Sequence, residues 1–180
     1  LTATGGGLSP AVSSSFDITR RIVVKALNTN PMNLDTSWQN PPPPASIDFA
    51  QIDNTSVNAN NAGRSADIGD HASWYGLKVI GWAPSTAYTI TDTAGPRALT
   101  LGAGGLVGTN LTYNLNIDCG VTLGASQTWI WGAGPGAGTL IVNGPIENAG
   151  YPLPVGGAQP ISLYGTISGA GGLVKTGTNT

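Results

Sequence analysis

The chain has 180 residues, a formal charge of -2 and only 9% charged side chains, against roughly 25% in an ordinary globular domain. Gly (27) and Pro (13) are abundant, whereas Lys occurs three times and Glu once, at Glu147, so helical bundles and coiled coils are excluded. Seven scattered basic residues cannot make the dense cationic surface that phosphate backbones require, which argues against nucleic-acid binding. The longest aliphatic run, residues 22–24, is far too short for membrane insertion as a helix.

Taken in chain order, residues 1–15 read as a flexible arm, with Gly5, Gly6 and Gly7, then Pro10, then three serines. Phe16, Ile18, Ile22 and Val24 then share one parity, interrupted by Arg20, while Asp17, Thr19, Arg21 and Lys25 hold the other. Period-two alternation predicts an amphipathic strand that buries the Phe16 parity. Four prolines at 41–44 predict a stiff polyproline II spacer. The expected division is an arm and strand over 1–37, a spacer over 38–46 and a β domain over 47–180.

Within the β domain, strands are predicted at 47–49, 76–82, 88–91 and 98–101, with turn signals at 58–63, 83–85 and 94–96. Leu111, Tyr113, Leu115, Ile117, Cys119, Val121 and Leu123 occupy alternate positions with polar residues between them, so this set is expected to face inward. Further strands are predicted at 128–131, 139–143 and 161–164, separated by glycine-rich turns at 132–138 and 147–157.

Internal repetition bears on the architecture. Gly-Ala-Gly-Gly-Leu-Val occurs at 102–107 and 169–174, and Thr-Leu-Gly-Ala at 100–103 and 122–125. The second offset suits one coil of a solenoid, and the first suits three. The expected fold is all-β, a right-handed parallel β-helix. The uninterrupted alternation over 111–123 supports the alternative, a β-sandwich of jelly-roll type.

Three segments carry a family resemblance: Thr-Leu-Gly-Ala-Ser-Gln-Thr-Trp at 122–129, Gly-Thr-Leu-Ile-Val-Asn-Gly-Pro-Ile at 138–146, and Gly-Thr-Ile-Ser-Gly-Ala-Gly-Gly-Leu-Val-Lys-Thr-Gly at 165–177. Residues 99–180 resemble the autotransporter-associated β-strand repeat, with a looser likeness reaching back to Trp38. The resemblance implies a bacterial surface β-helix acting as stalk or adhesive scaffold. The chain departs from that pattern after the Lys-Thr-Gly word, where the family usually continues with a Leu-Thr-Leu strand.

Candidate chemistry is sparse. Gly132-Ala-Gly-Pro-Gly-Ala137 fits a dinucleotide fingerprint in letters only, because a strand-like Thr-Leu-Ile-Val follows where a helix is needed. Asp67, Asp70 and His71 cluster, but their spacing matches no calcium loop or zinc motif, and a solvated turn is the better reading. His71 is the single histidine and the carboxylates are dispersed, so neither a triad nor a glycosidase pair is indicated. No catalytic residue, metal or other cofactor is expected, and Cys119, the lone cysteine, can form no intrachain disulfide.

Trp129 and Trp131 share a strand parity, so they would form either a sugar-stacking platform or core. The expected function is therefore a non-enzymatic, extracellular or cell-surface structural protein that self-assembles head to tail into a filament or layer. A donated strand carrying Phe16, Ile18, Arg20, Arg21, Ile22 and Val24 would join the copies. The alternatives are a carbohydrate-binding adhesin using Trp129 and Trp131 on surface glycans and, behind it, a polysaccharide-degrading β-helix enzyme.

Overall fold

The computed structural model describes residues 20–57, 64–81, 87–133, 136 and 138–178. Phe16, Ile18 and Trp82 lie outside the described residues. In chain order the strands are β1 (Ile22–Val24), β2 (Phe49–Asp53), β3 (Ser65–Asp67), β4 (Ala72–Ile80), β5 (Tyr88–Thr91), β6 (Ala98–Thr109), β7 (Leu115–Ile117) and β8 (Gly120–Leu123). They continue as β9 (Trp129–Ala133), β10 (Leu140–Val142), β11 (Ile146–Glu147), β12 (Leu153–Gly157), β13 (Ile161–Leu163), β14 (Ile167–Ser168) and β15 (Leu173–Lys175). A 3-10 turn at Asp35–Ser37 is the only helical element among the described residues.

Every strand pairing is parallel, and the chain winds as a right-handed β-solenoid of about five turns. Three faces result. The first is a five-stranded sheet in the order β13-β10-β7-β5-β3. The second joins the start of β4 and of β6 to β8, β11 and β14, and the third runs β1, β2, the end of β4, the end of β6, β9, β12, β15. The second and third faces form one ten-stranded sheet because β4 and β6 run straight through the corner between them.

Coil length is the repeat seen in sequence. Leu99 pairs with Val121, 22 residues on, and Val121 with Ile146, 25 residues on. The two Thr-Leu-Gly-Ala words stack directly, Thr100 on Thr122 and Leu101 on Leu123. Both hexapeptides mark the corner between the second and third faces. There Gly105 takes φ +58°, and a Cβ would strike the carbonyl of Thr128 in the next coil. Only glycine suits such a left-handed, backbone-crowded position.

The core is a set of columns. On the third face Val23, Ala50, Leu77, Leu106, Trp129 and Val155 stack through successive coils. All but Val155 are buried, and Val155 packs against the core. Burying a large member of such a column contributes roughly 1.5–3 kcal/mol.

The alternating set over 111–123 faces inward as expected, with only Tyr113 partly exposed. It is not one strand, however. The chain turns from β7 on the first face to β8 on the second at Asp118 and Cys119 and keeps its parity through the corner, which removes the argument for a sandwich.

The N-terminal strand corrects its prediction. Val23 and Lys25 are fully buried, while Ile22 is 41% exposed and Val24 faces outward on the same side. The buried parity is thus the opposite one, because β1 pairs in register with β2 and Val23 must sit over Ala50. The proline run is tied to the residue that precedes β1. The Arg21 guanidinium donates to the carbonyls of Pro42 and Pro43, both at 3.3 Å, and Pro44 is buried. Val23, Met32 and Trp38 belong to the same apolar core as the coils.

Candidate functional site

The two ends of the solenoid are built differently. At the N-terminal end, residues 25–39 fold across the open coil. Lys25 bridges antiparallel to Trp38, the amide of Gln39 donates to Val24 O and that of Ala26 to Ser37 O, each at 2.8 Å. The outer edge of β1 is thereby covered. The Met32 amide donates to Asp67 O at 2.8 Å and covers β3. Trp38 packs edge-on against Trp74 with centroids 5.9 Å apart, and its indole N–H donates to Met32 O at 2.8 Å.

Lys25 closes a column. Val24 pairs with Gln51, so Lys25 sits over Ile52 and Val79 beyond it. Its ammonium donates to Ala26 O, Asn28 O and Asn28 Oδ1 at 3.1, 3.0 and 2.8 Å. These acceptors carry no formal charge, and burial pushes its pKa down to about 8.

At the C-terminal end no described strand lies beyond β13, β14 and β15. Tyr164 is 74% exposed and Leu173 50%, with Ile167 and Val174 also exposed. Between β12, β13 and β15 opens a groove of about 350 Å³, lined by Val155, Gln159, Ile161, Leu163, Leu173 and Lys175. Its walls are mainly aliphatic. Lys175 is the next member of the column through Trp129 and Val155, and its ammonium donates to Gly177 O at 2.8 Å. It is the only charged residue in the groove lining. Unpaired strand edges and uncovered apolar columns are what another strand can complete. Leu163 and Lys175 carried no sequence signal as site residues; the repeated Leu-Val word at 173–174 was the only pointer to this end.

The residues expected to form sites are placed as follows. Trp129 and Trp131 are fully buried. The Trp129 indole donates to Gln127 Oε1 at 3.0 Å and that of Trp131 to Gly138 O at 2.8 Å, so they are core and cannot stack on a sugar. Arg20 lies 3.5 Å over the Tyr75 ring and also donates to Ile47 O at 3.3 Å. Arg21 forms an ion pair with Asp48 at 2.8 Å. That bond holds the Asp48 carboxyl below its usual range. Both arginines are thus engaged by the coils stacked next to them, as are Ile22 and Val24 through β2.

Asp67 does not join a metal set. It accepts bonds from the Gly69 amide at 2.7 Å, from the Thr93 amide at 2.6 Å and the Thr93 hydroxyl, and from Arg97 at 3.1 Å. Burial opposes its ionisation, but these bonds outweigh it and hold its pKa low. Asp70 accepts from the His71 amide, and His71 Nδ1 accepts from the Ala98 amide at 3.2 Å. Asp67 and His71 thus tether this loop to the next coil, whereas Asp70 bonds within the loop. Cys119 is buried, and desolvation raises its thiol pKa to about 12, which makes it a poor nucleophile.

No family model, curated protein or solved structure matches the chain.

Proposed function

We propose that the chain is a non-enzymatic structural scaffold of the bacterial cell surface or extracellular space, which polymerises through its solenoid ends. The observation that carries this reading is one continuous core of stacked columns. Its columns run from coil to coil, and Lys25, Met32 and Trp38 lie at their N-terminal end. Coils that stack in parallel associate head to tail, and head-to-tail contacts do not close, so the product is a filament. Low charge removes the repulsion that would oppose stacking. The likeness of residues 99–180 to a surface repeat supports the same reading.

Negative-stain electron microscopy and sedimentation velocity of the 180-residue chain test it. Concentration-dependent rods one solenoid wide are expected. A chain that stays monomeric and cleaves a member of a polysaccharide panel would overturn it.

A further inference from the structure

We propose that the outer surface of the third face binds an acidic polysaccharide, over the patch formed by Arg20, Phe49, Tyr75 and Lys78. The patch lies on the side of the solenoid, so a single chain and a filament present it alike.

Parity puts these side chains outside. Ala50 and Leu77 point into the core, so Phe49 and Lys78 point outward from β2 and β4. The Phe49 and Tyr75 rings meet edge to face with centroids 4.9 Å apart. Glycines leave them room: a Cβ on Gly104 would stand 2.7 Å from both rings, and one on Gly76 2.8 Å from Phe49. The rings therefore lie close down on the sheet. Each carries a cation, the Arg20 guanidinium 3.5 Å from the Tyr75 centroid and the Lys78 ammonium 4.0 Å from that of Phe49.

Charge is segregated here. Three of the chain's seven basic residues, Arg20, Arg21 and Lys78, gather on this patch. Arg21 is paired with Asp48. Asp53, on the outward parity of β2, accepts bonds from Gln51 and Thr55, and among the described residues no carboxylate pairs with Arg20 or Lys78. Two positive charges thus stand uncompensated in a chain of net charge -2. An aromatic face holds a cation in place without cancelling its charge. The two stacking distances and the ring separation put these charges no more than about 12 Å apart, near the Debye length of about 10 Å at 0.1 M salt, so they act together on one polyanion.

The surroundings decide the class of polyanion. Lys78 is followed across the sheet by Val107 and then the exposed Ile130, and Ile22 stands beside Phe49. Duplex nucleic acid, with one charge per roughly 1.7 Å, would lay most of its phosphates on this neutral surface. A single strand would need open ring faces for its bases, and here cations sit on them. An acidic polysaccharide sets its carboxylates or sulfates between neutral sugars, which suits two cations in an apolar surround. Arg20 spends one N–H on Ile47 O, and the rest of its fork matches a carboxylate.

Biolayer interferometry of the full chain on immobilised polygalacturonate and hyaluronan tests this, with methyl-esterified polygalacturonate as the uncharged control. Both acidic polymers bind, more weakly as salt rises, and the esterified polymer does not. Arg20→Gln and Lys78→Gln each weaken binding about threefold to fivefold, the worth of an exposed ion pair, and the double variant does so at least about tenfold. Lys78→Arg, which keeps the charge, stays within about twofold of wild type. Lys175→Gln, a cation outside the patch, changes nothing, and all variants keep the wild-type circular dichroism spectrum. Equal binding of the esterified polymer, equal loss in Lys175→Gln or unchanged binding in the double variant would overturn the site. Failure of both acidic polymers, or tighter binding of single-stranded DNA or phosphatidylserine vesicles, would overturn the polysaccharide as its occupant.

Discussion

A single hydrogen-to-methyl change in the core offers a stringent test of the column packing. Gly108 pairs with Val79 on one side and Trp131 on the other. A Cβ at Gly108 would press on the edge of the Trp131 indole, 2.6 Å from Cζ3, and on Leu111 Cδ1 at 2.5 Å. The glycine is not in the left-handed region, so the obstacle to Ala is steric and comes from its neighbours. Overpacking of this kind costs roughly 1–3 kcal/mol. A less flexible unfolded chain returns about 0.4–1 kcal/mol, which leaves Gly108→Ala destabilising by about 1–2 kcal/mol.

Trp131→Leu removes the obstructing ring and the bond to Gly138 O and destabilises by roughly 2–4 kcal/mol through the cavity it leaves. In that background only the contact with the tip of Leu111 remains, so Gly108→Ala becomes close to neutral. Urea titrations followed by circular dichroism on wild type, both singles and the double give the coupling energy, expected at about 1–2 kcal/mol in favour of the double. Effects that add to within about 0.3 kcal/mol would refute the idea that the glycine exists to seat the indole.

Other expectations concern titration and access. Lys25 titrates near 8 when folded and near 10.4 in an unfolded chain. The unfolded state therefore binds more protons between these values, and stability rises with pH there. The gain is about 1 kcal/mol between pH 8 and 9, before ionisation of the unfolded chain's cysteine opposes it. Lys25→Met flattens this rise in urea midpoints measured across that range. Asp48 has a lowered pKa in the folded state, so its contribution is present above about 3.9 and is lost as pH falls through the folded value. Asp48→Asn costs about 1 kcal/mol at pH 7, a figure tempered by the partly exposed Arg21, and the difference from wild type closes in acid. A thiol reagent at pH 7.5 leaves Cys119 unlabelled in the folded chain and modifies it in urea; fast native labelling would show that the 111–123 parity is wrong.

What could be read from the sequence depended on whether side-chain parity survives the corners. Through Asp118 and Cys119 it does, so seven alternating residues were legible as one inward set although they span a loop, two strands of different sheets and the corner between them. The same continuity made them look like a single sandwich strand, since periodicity records which way a side chain points and not where the backbone bends. Glycine hid the remaining strands. β6 passes through Gly102, Gly104 and Gly105, and β12 carries Pro154 and two glycines, residues that ordinarily signal turns. In this solenoid they sit where the chain rounds a corner or lies close against the next coil, as Gly105 does against Thr128.

β1 was misread for a different reason. Hydrophobic parity favoured Ile22 and Val24, yet Val23 and Lys25 are buried. A lysine can occupy an inward position when it ends a column and carbonyls meet its ammonium, as those of Ala26 and Asn28 do. Lys175 stands at the opposite end of the neighbouring column with one carbonyl partner and an open groove beside it. Placed mid-column, either ammonium would face apolar neighbours above and below, at a desolvation cost of several kcal/mol. A lysine on the buried parity of a solenoid strand therefore needs polar acceptors at its tip, which for Lys25 the carbonyls of Ala26 and Asn28 and the Asn28 side chain supply.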